Sequence, residues 1–219
     1  MTRTILAGLA VSVLGVAISG TGCQSTGIGD PCTPEKEYDT TFAGFVEQEV
    51  STEGESFQCQ TRLCLVNHFQ GRATCPYGQN SSGKPNVGSP AQQGCFTPGI
   101  MQQVTGPLNS MGKPVDATIG AKVLPQCTER TKDQTVYCSC RCADINGSQN
   151  GGTFCNCPDG FTCTQLVSSL SAASDQGLTG AYCIKSGTAF DSNSGAAVCT
   201  PCGAGGATNC GPASNTGGT

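Results

Sequence analysis

The stretch Val136–Cys163, VYCSCRCADINGSQNGGTFCNCPDGFTC, limits what this chain can fold into more than any other. It carries six cysteines: Cys138, Cys140, Cys142, Cys155, Cys157 and Cys163. Side chains two residues apart on an extended strand lie on one face, so CSCRC sets three sulfurs side by side. Neighbours at that spacing have the wrong Cα separation and Cβ directions to bridge one another. Each sulfur must find its partner elsewhere. Asn146-Gly147 and Asn150-Gly151-Gly152 are strong turn formers, and Cys155 and Cys157 repeat the Cys-x-Cys spacing beyond them. The stretch reads as a hairpin-like ribbon with sulfur on both arms.

The rest of the chain needs those sulfurs. Leu, Ile, Val and Phe total 38 of 219 residues, and eight of them lie within the first 18. What remains is too poor in large apolar side chains for a conventional core. There is no Trp. The net charge is only −4, and 17 cysteines supply another source of order. One bridge contributes ~2–4 kcal/mol, mainly by restricting the unfolded chain. Lys and Arg total 11 and never cluster, which argues against a nucleic-acid surface. The expected fold class is small and disulfide-rich, mainly β strands and irregular loops, with one short helix near 164–174.

Arg3 precedes the apolar run Ile5–Ile18, too short to span a bilayer and fitting the h-region of an export signal. Ser19-Gly20-Thr21-Gly22-Cys23 follows. This resembles a bacterial lipoprotein signal at Gly22 and Cys23, and departs from it at Gly20, where that pattern carries a large aliphatic residue. The resemblance implies acylation of Cys23 as the mature N-terminus and a cell-envelope location. Gln24 rather than Asp at the next position implies the outer membrane. Without Cys23, 16 cysteines remain, an even number that can pair fully. Two lipid signals anchor firmly where one chain binds only marginally.

Six segments follow from composition: a signal peptide at 1–22, a flexible tether at 23–31, a first cysteine-rich block at 32–78, a loose Gly/Pro/Ser-rich connection at 79–126, a central cysteine-rich block at 127–185 and a Gly/Ala/Ser/Thr-rich tail at 186–219. In the first block, Glu35–Glu55 holds seven acidic residues and reads as a solvated face. Phe57, Cys59, Leu63, Leu65 and Phe69 alternate as one face of an extended strand. Cys64 and Cys75 are spaced to close a local loop. Leu166, Val167, Leu170 and Ala173 fall on one face of the expected helix, and Ala181–Lys185 reads as a returning strand.

Disulfide candidates are Cys32, Cys59, Cys64, Cys75, Cys95, Cys127, Cys138, Cys140, Cys142, Cys155, Cys157, Cys163, Cys183, Cys199, Cys202 and Cys210. Cys199-Thr200-Pro201-Cys202 has the spacing of a redox motif, which works when a helix N-terminus lowers the first thiol's pKa. No helix pattern follows it here. CSCRC with CNC offers thiolates that suit Zn or Cu(I), but exported thiols meet oxidising conditions and pair. His68 is the single histidine, and no Gly-x-Ser-x-Gly elbow accompanies it, so it reads as a half-exposed strand residue. Asp144-x-Asn146-x-Ser148 begins like a calcium loop, but Gln149 stands where Gly is needed and Cys155 where Glu is, so a hairpin turn is expected. No catalytic residue, metal or cofactor is expected.

CNCPDGFTC resembles the end of an EGF-like module over nine residues. CLVNHFQGRATCPYGQ, VYCSCRC, CNCPDGFTC and GAYCIK together are similar to cysteine-rich predicted lipoproteins of social, large-genome bacteria. The function expected is therefore a membrane-anchored, disulfide-stabilised envelope lipoprotein with a structural or binding role. Its expected partners are the membrane, through the lipid, and an envelope protein. The alternative is a periplasmic thiol–disulfide or metal-handling protein.

Overall fold

A computed structural model describes residues 27–79, 94–106, 108–114, 122–150, 152–167, 179–192 and 199–201. Within these residues the protein is mainly β and disulfide-rich. The strands are β1 (Val50–Glu53), β2 (Leu63–Asn67), β3 (Val136–Ser139), β4 (Arg141–Ala143), β5 (Phe161–Val167) and β6 (Gly180–Lys185). They form two antiparallel three-stranded sheets, ordered β1-β2-β3 and β4-β6-β5.

The run VYCSCRCA passes from one sheet to the other at Cys140. Val136–Ser139 pairs with β2, and Arg141–Ala143 pairs with β6. Two hydrogen bonds close the seam: Ser139 Oγ donates to the Cys183 carbonyl at 2.7 Å, and the Cys183 N–H donates to the Cys140 carbonyl at 3.1 Å. A small core fills the space along it, made of Leu63, Leu65, Tyr137, Tyr182 and Ile184.

Seven bridges join the described cysteines: Cys32–Cys64, Cys59–Cys138, Cys75–Cys95, Cys127–Cys199, Cys140–Cys155, Cys142–Cys163 and Cys157–Cys183. All three sulfurs of CSCRC bond outside the run, as its spacing requires. Cys64 and Cys138 are direct cross-strand partners, yet each bonds a third segment. The same holds for Cys163 and Cys183. No bridge therefore duplicates a ladder that hydrogen bonds already make: some tie loops to strands, and Cys142–Cys163 ties β4 to β5 across β6.

Cys64 and Cys75 do not pair; Cys64 reaches back to Cys32 and Cys75 forward to Cys95. The strand expected across Phe57–Phe69 is confined to Leu63–Asn67. Arg62 (φ 63°) and His68 (φ 52°) adopt the left-handed conformation at its two ends, which stops an extended chain in both directions. Phe57 is left 89% exposed, while Phe69 packs with Phe45 and Val66 in a second cluster. The ribbon 138–163 is not a two-stranded hairpin, because β6 lies between its two arms. Of the helix expected at 164–174, Thr164–Val167 belongs to β5; the remaining positions lie outside the described residues. Pairing of Thr164 with Tyr182 and Gln165 with Ala181 overrides the helical spacing. The one described α-helix is instead α1 (Lys132–Thr135), started by Thr131, whose N–H is met by Gln134 Oε1.

The chain's boundaries also tighten. The expected tether is already part of the fold from Gly27: Gly29 and Asp30 exchange backbone hydrogen bonds with Cys138, both at 2.8 Å. In the connection, Cys95, Val104 and Val123 form a buried cluster beside Cys75. The first residues of the tail are fastened too, since Thr188 and Phe190 meet Asn67, His68 and Arg130.

The acidic run is not wholly a solvated face, because Glu37 and Glu47 are buried. Glu37 lies 3.2 Å from Arg72 Nε, and both side chains are fully enclosed. Arg72 also donates to the carbonyls of Glu37, Asp39 and Phe42. Glu37 accepts from the Ala73 N–H and the Thr74 hydroxyl. A buried pair adds little net stability when whole, but losing one partner strands a charge. Arg72→Met should cost about 3–5 kcal/mol in urea unfolding, and adding Glu37→Gln should recover part of that loss. Complete reduction and alkylation should abolish the cooperative thermal transition, because so small an apolar core cannot hold the sheets together.

Candidate functional site

An open cleft of about 560 Å³ lies where the N-terminal segment, the 57–62 turn, α1 and the end of β6 converge. Its polar lining includes Thr33, Gln58, Thr74, Lys132, Asp133 and Lys185. Gln58 braces one wall: its Oε1 accepts from the Thr33 N–H at 3.0 Å, and its Nε2 donates to the Thr33 carbonyl at 3.1 Å. Lys185 Nζ donates to the Asp133 carbonyl and lies 5.0 Å from the centre of the Tyr137 ring. Burial lowers its pKa, partly offset by the Asp133 charge. Lys132 and Lys185 bring two ammonium groups to the lining beside Asp133, and ammonium donors suit a carboxylate or phosphate group. None of these residues sits in a sequence motif, and five separate stretches of the chain supply them. No spacing in the sequence marks the cleft.

Sulfur gathers in two further places. Cys32, Cys59, Cys64 and Cys138 pack as one buried group. The bridges Cys140–Cys155, Cys142–Cys163 and Cys157–Cys183 stack together, with Cys183 Sγ 3.7 Å from both Cys140 Sγ and Cys155 Sγ. These clusters have the tightness a soft metal would need, but every sulfur in them is spent in a bridge. Metal loading there requires reduction first. Cys199 is bonded to Cys127 and so is not free to form a Cys-x-x-Cys disulfide. Cys23, Cys202 and Cys210 lie outside the described residues.

His68 stands just past β2, half-buried. Its Nδ1 lies 2.9 Å from the Glu47 carbonyl, which can only accept, so Nδ1 carries the proton. Its ring stacks on Phe190 with centroids 4.0 Å apart. Burial holds its pKa below the usual value, and the Arg130 charge acts in the same direction. These contacts make His68 a packing residue; it does not sit on a strand as expected, because it follows β2 in the left-handed conformation. Asp144 Oδ1 accepts from the N–H groups of Asn146 and Ser148 at 2.8 and 2.7 Å. It closes the expected turn and leaves that oxygen engaged by backbone.

Glu47 is 2% exposed, and its Oε1 has no hydrogen-bond donor among the described residues. Its carboxylate lies within 4.8 Å of that of Glu129, next to the Cys127–Cys199 bridge. Burial raises its pKa, the Glu129 charge adds to this, and Arg130 opposes it.

No protein-family model, curated protein or solved structure matches the chain. Among the described residues no helix is long and apolar enough to cross a membrane.

The Glu47 environment sets a pH dependence. A raised carboxyl pKa means the native state binds more protons than the unfolded state between the two values, so stability falls as pH rises through that window. His68, with a lowered pKa, acts in the opposite sense below about 6.5. Comparison with Glu47→Gln isolates the first effect. The variant should gain on the parent protein as pH rises above about 4.5, measured as urea midpoints across a pH series. A parent protein that gains on the variant with rising pH would contradict the assignment.

Proposed function

We propose that this protein is a membrane-anchored, disulfide-stabilised cell-envelope lipoprotein with a binding role. The observation that carries the reading is the cysteine arithmetic. The 14 described cysteines are all bridged, Cys202 and Cys210 make a further even pair, and Cys23 is left over after an export-type apolar run. A leftover cysteine preceded by Gly22 is the one that a lipoprotein signal would acylate. In this reading the cross-linked sheets are a scaffold and the Lys132/Lys185 cleft is the surface that meets an envelope partner. An acidic or phosphorylated group on that partner matches the cleft's two ammonium groups.

The second reading is thiol–disulfide or metal handling, and the three stacked bridges favour it. A thiolate formed at Cys183 would lie 3.7 Å from both sulfurs of the neighbouring bridge, within reach of exchange.

Intact mass of the membrane-extracted protein, before and after reduction, separates the two. The lipoprotein reading expects acyl mass on Cys23 and no free thiol, which requires Cys202 and Cys210 to be bridged as well. Cys23→Ser should release the protein into the soluble fraction. A reproducible pair of reactive thiols, or bound metal in native protein, would favour the second reading instead.

A further inference from the structure

We propose that the turn Ser56–Arg62 is the face on which the folded body rests against its own membrane. In this arrangement the Phe57 ring enters the headgroup region and the Arg62 guanidinium meets lipid phosphate. The inference rests on acylation of Cys23.

Cys23 and Gly27 are four residues apart, and Gly27 already belongs to the folded body. A fully extended chain covers at most ~3.3–3.6 Å per residue, so the anchor and the body are separated by ~14 Å or less. The polar layer of the leaflet occupies ~5–8 Å of that distance. The body cannot stand away from the bilayer, and the region around Gly27 must face it.

A Cβ built on Gly27 would lie 3.0 Å from Gln60 Cβ, so this glycine packs directly on the 56–62 turn. The turn is stiff. The Ser56 N–H donates to the Arg62 carbonyl at 3.0 Å, the Arg62 N–H donates to the Cys59 carbonyl at 2.9 Å, and Cys59 is bridged to Cys138. The part of the body nearest the anchor is thus a fixed platform.

Phe57 is 89% exposed, more than any other large apolar side chain described. A Phe side chain stabilises a fold by leaving water, so one held this far into solvent contributes almost nothing to folding. Arg62 is exposed as well, with its guanidinium 4.5 Å from the Phe57 ring centre. An aromatic ring with a weakly hydrated, bidentate cation beside it matches the boundary between acyl chains and phosphate. Glu55 and Asp30 are exposed nearby, so the face suits zwitterionic headgroups better than a densely anionic surface.

The chain contains no Trp, so Phe57→Trp creates a single fluorescent reporter. Ile100→Trp, at a 75% exposed site on the segment held by Cys95, is the reference. Each acylated variant is reconstituted into phosphatidylcholine vesicles with and without brominated acyl chains, and acylation is checked by intact mass. The expected result is blue-shifted emission and at least twofold quenching for Phe57→Trp, with emission at Ile100→Trp unchanged. Equal quenching at both sites, or none at Phe57→Trp in protein carrying lipid, would overturn the docking face and leave the lipoprotein reading intact. Absence of acyl mass on Cys23 would remove the lipoprotein reading, and this inference with it.

Discussion

The backbone of Val136–Ala143 belongs to both sheets, and three bridges leave it in three directions. Cys138 holds the 56–62 turn, Cys140 holds the loop at Cys155, and Cys142 holds β5 through Cys163. A covalent bridge acts chiefly on the unfolded chain, and its effect grows with the loop it closes. Cys59–Cys138 closes a separation of 79 residues and Cys127–Cys199 one of 72. Each of these is worth about 4–5 kcal/mol in the chain-entropy account, though nested loops do not add. Bonds of this kind replace the apolar burial that this composition cannot supply.

Irregular chain creates a second demand, because backbone carbonyls outside ladders still need donors when buried. Two arginines meet it in the same way. Arg72 gathers the carbonyls of Glu37, Asp39 and Phe42. Arg130 gathers those of Asn67, His68 and Thr188. The guanidinium group suits this work, with five donors in a planar fork and a charge it never loses. Arg72 joins the loop before β1 to the loop after β2, and Arg130 fastens the tail across the end of β2. The buried Glu37 balances the charge of the first. Glu47 and Glu129 lie near the second, and one Glu47 oxygen has no donor among the described residues.

The same construction leaves the surface free for function. The cleft beside Lys132 and Lys185 is walled by segments that bridges and backbone pairing hold in place, so its shape is largely set before any ligand arrives. The N-terminal strap, zipped to Cys138, lines that cleft and packs on the 56–62 turn. Under the proposed acylation of Cys23, membrane docking and binding in the cleft would share one rigid frame.

Local spacing was readable because it depends only on bond geometry. Alternate positions face one way, so CSCRC had to send its sulfurs elsewhere, and Asn146-Gly147 had to turn. The scarcity of aliphatic residues made a cross-linked, mainly β fold the outcome that composition allows, and Ala181–Lys185 appeared as the strand expected. Which sulfurs meet was not readable, because pairing depends on Cα separations between segments far apart in the chain. Cys64 prefers Cys32 over Cys75 only once β2 is paired and the N-terminal segment is laid along β3. Tertiary pairing likewise drew Thr164–Val167 into a strand against its helical spacing, and burial of Arg72 drew Glu37 out of an acidic run that looked fully solvated. The cleft had no precursor in the sequence, since its walls become neighbours only when the two sheets close along the run of chain that passes between them.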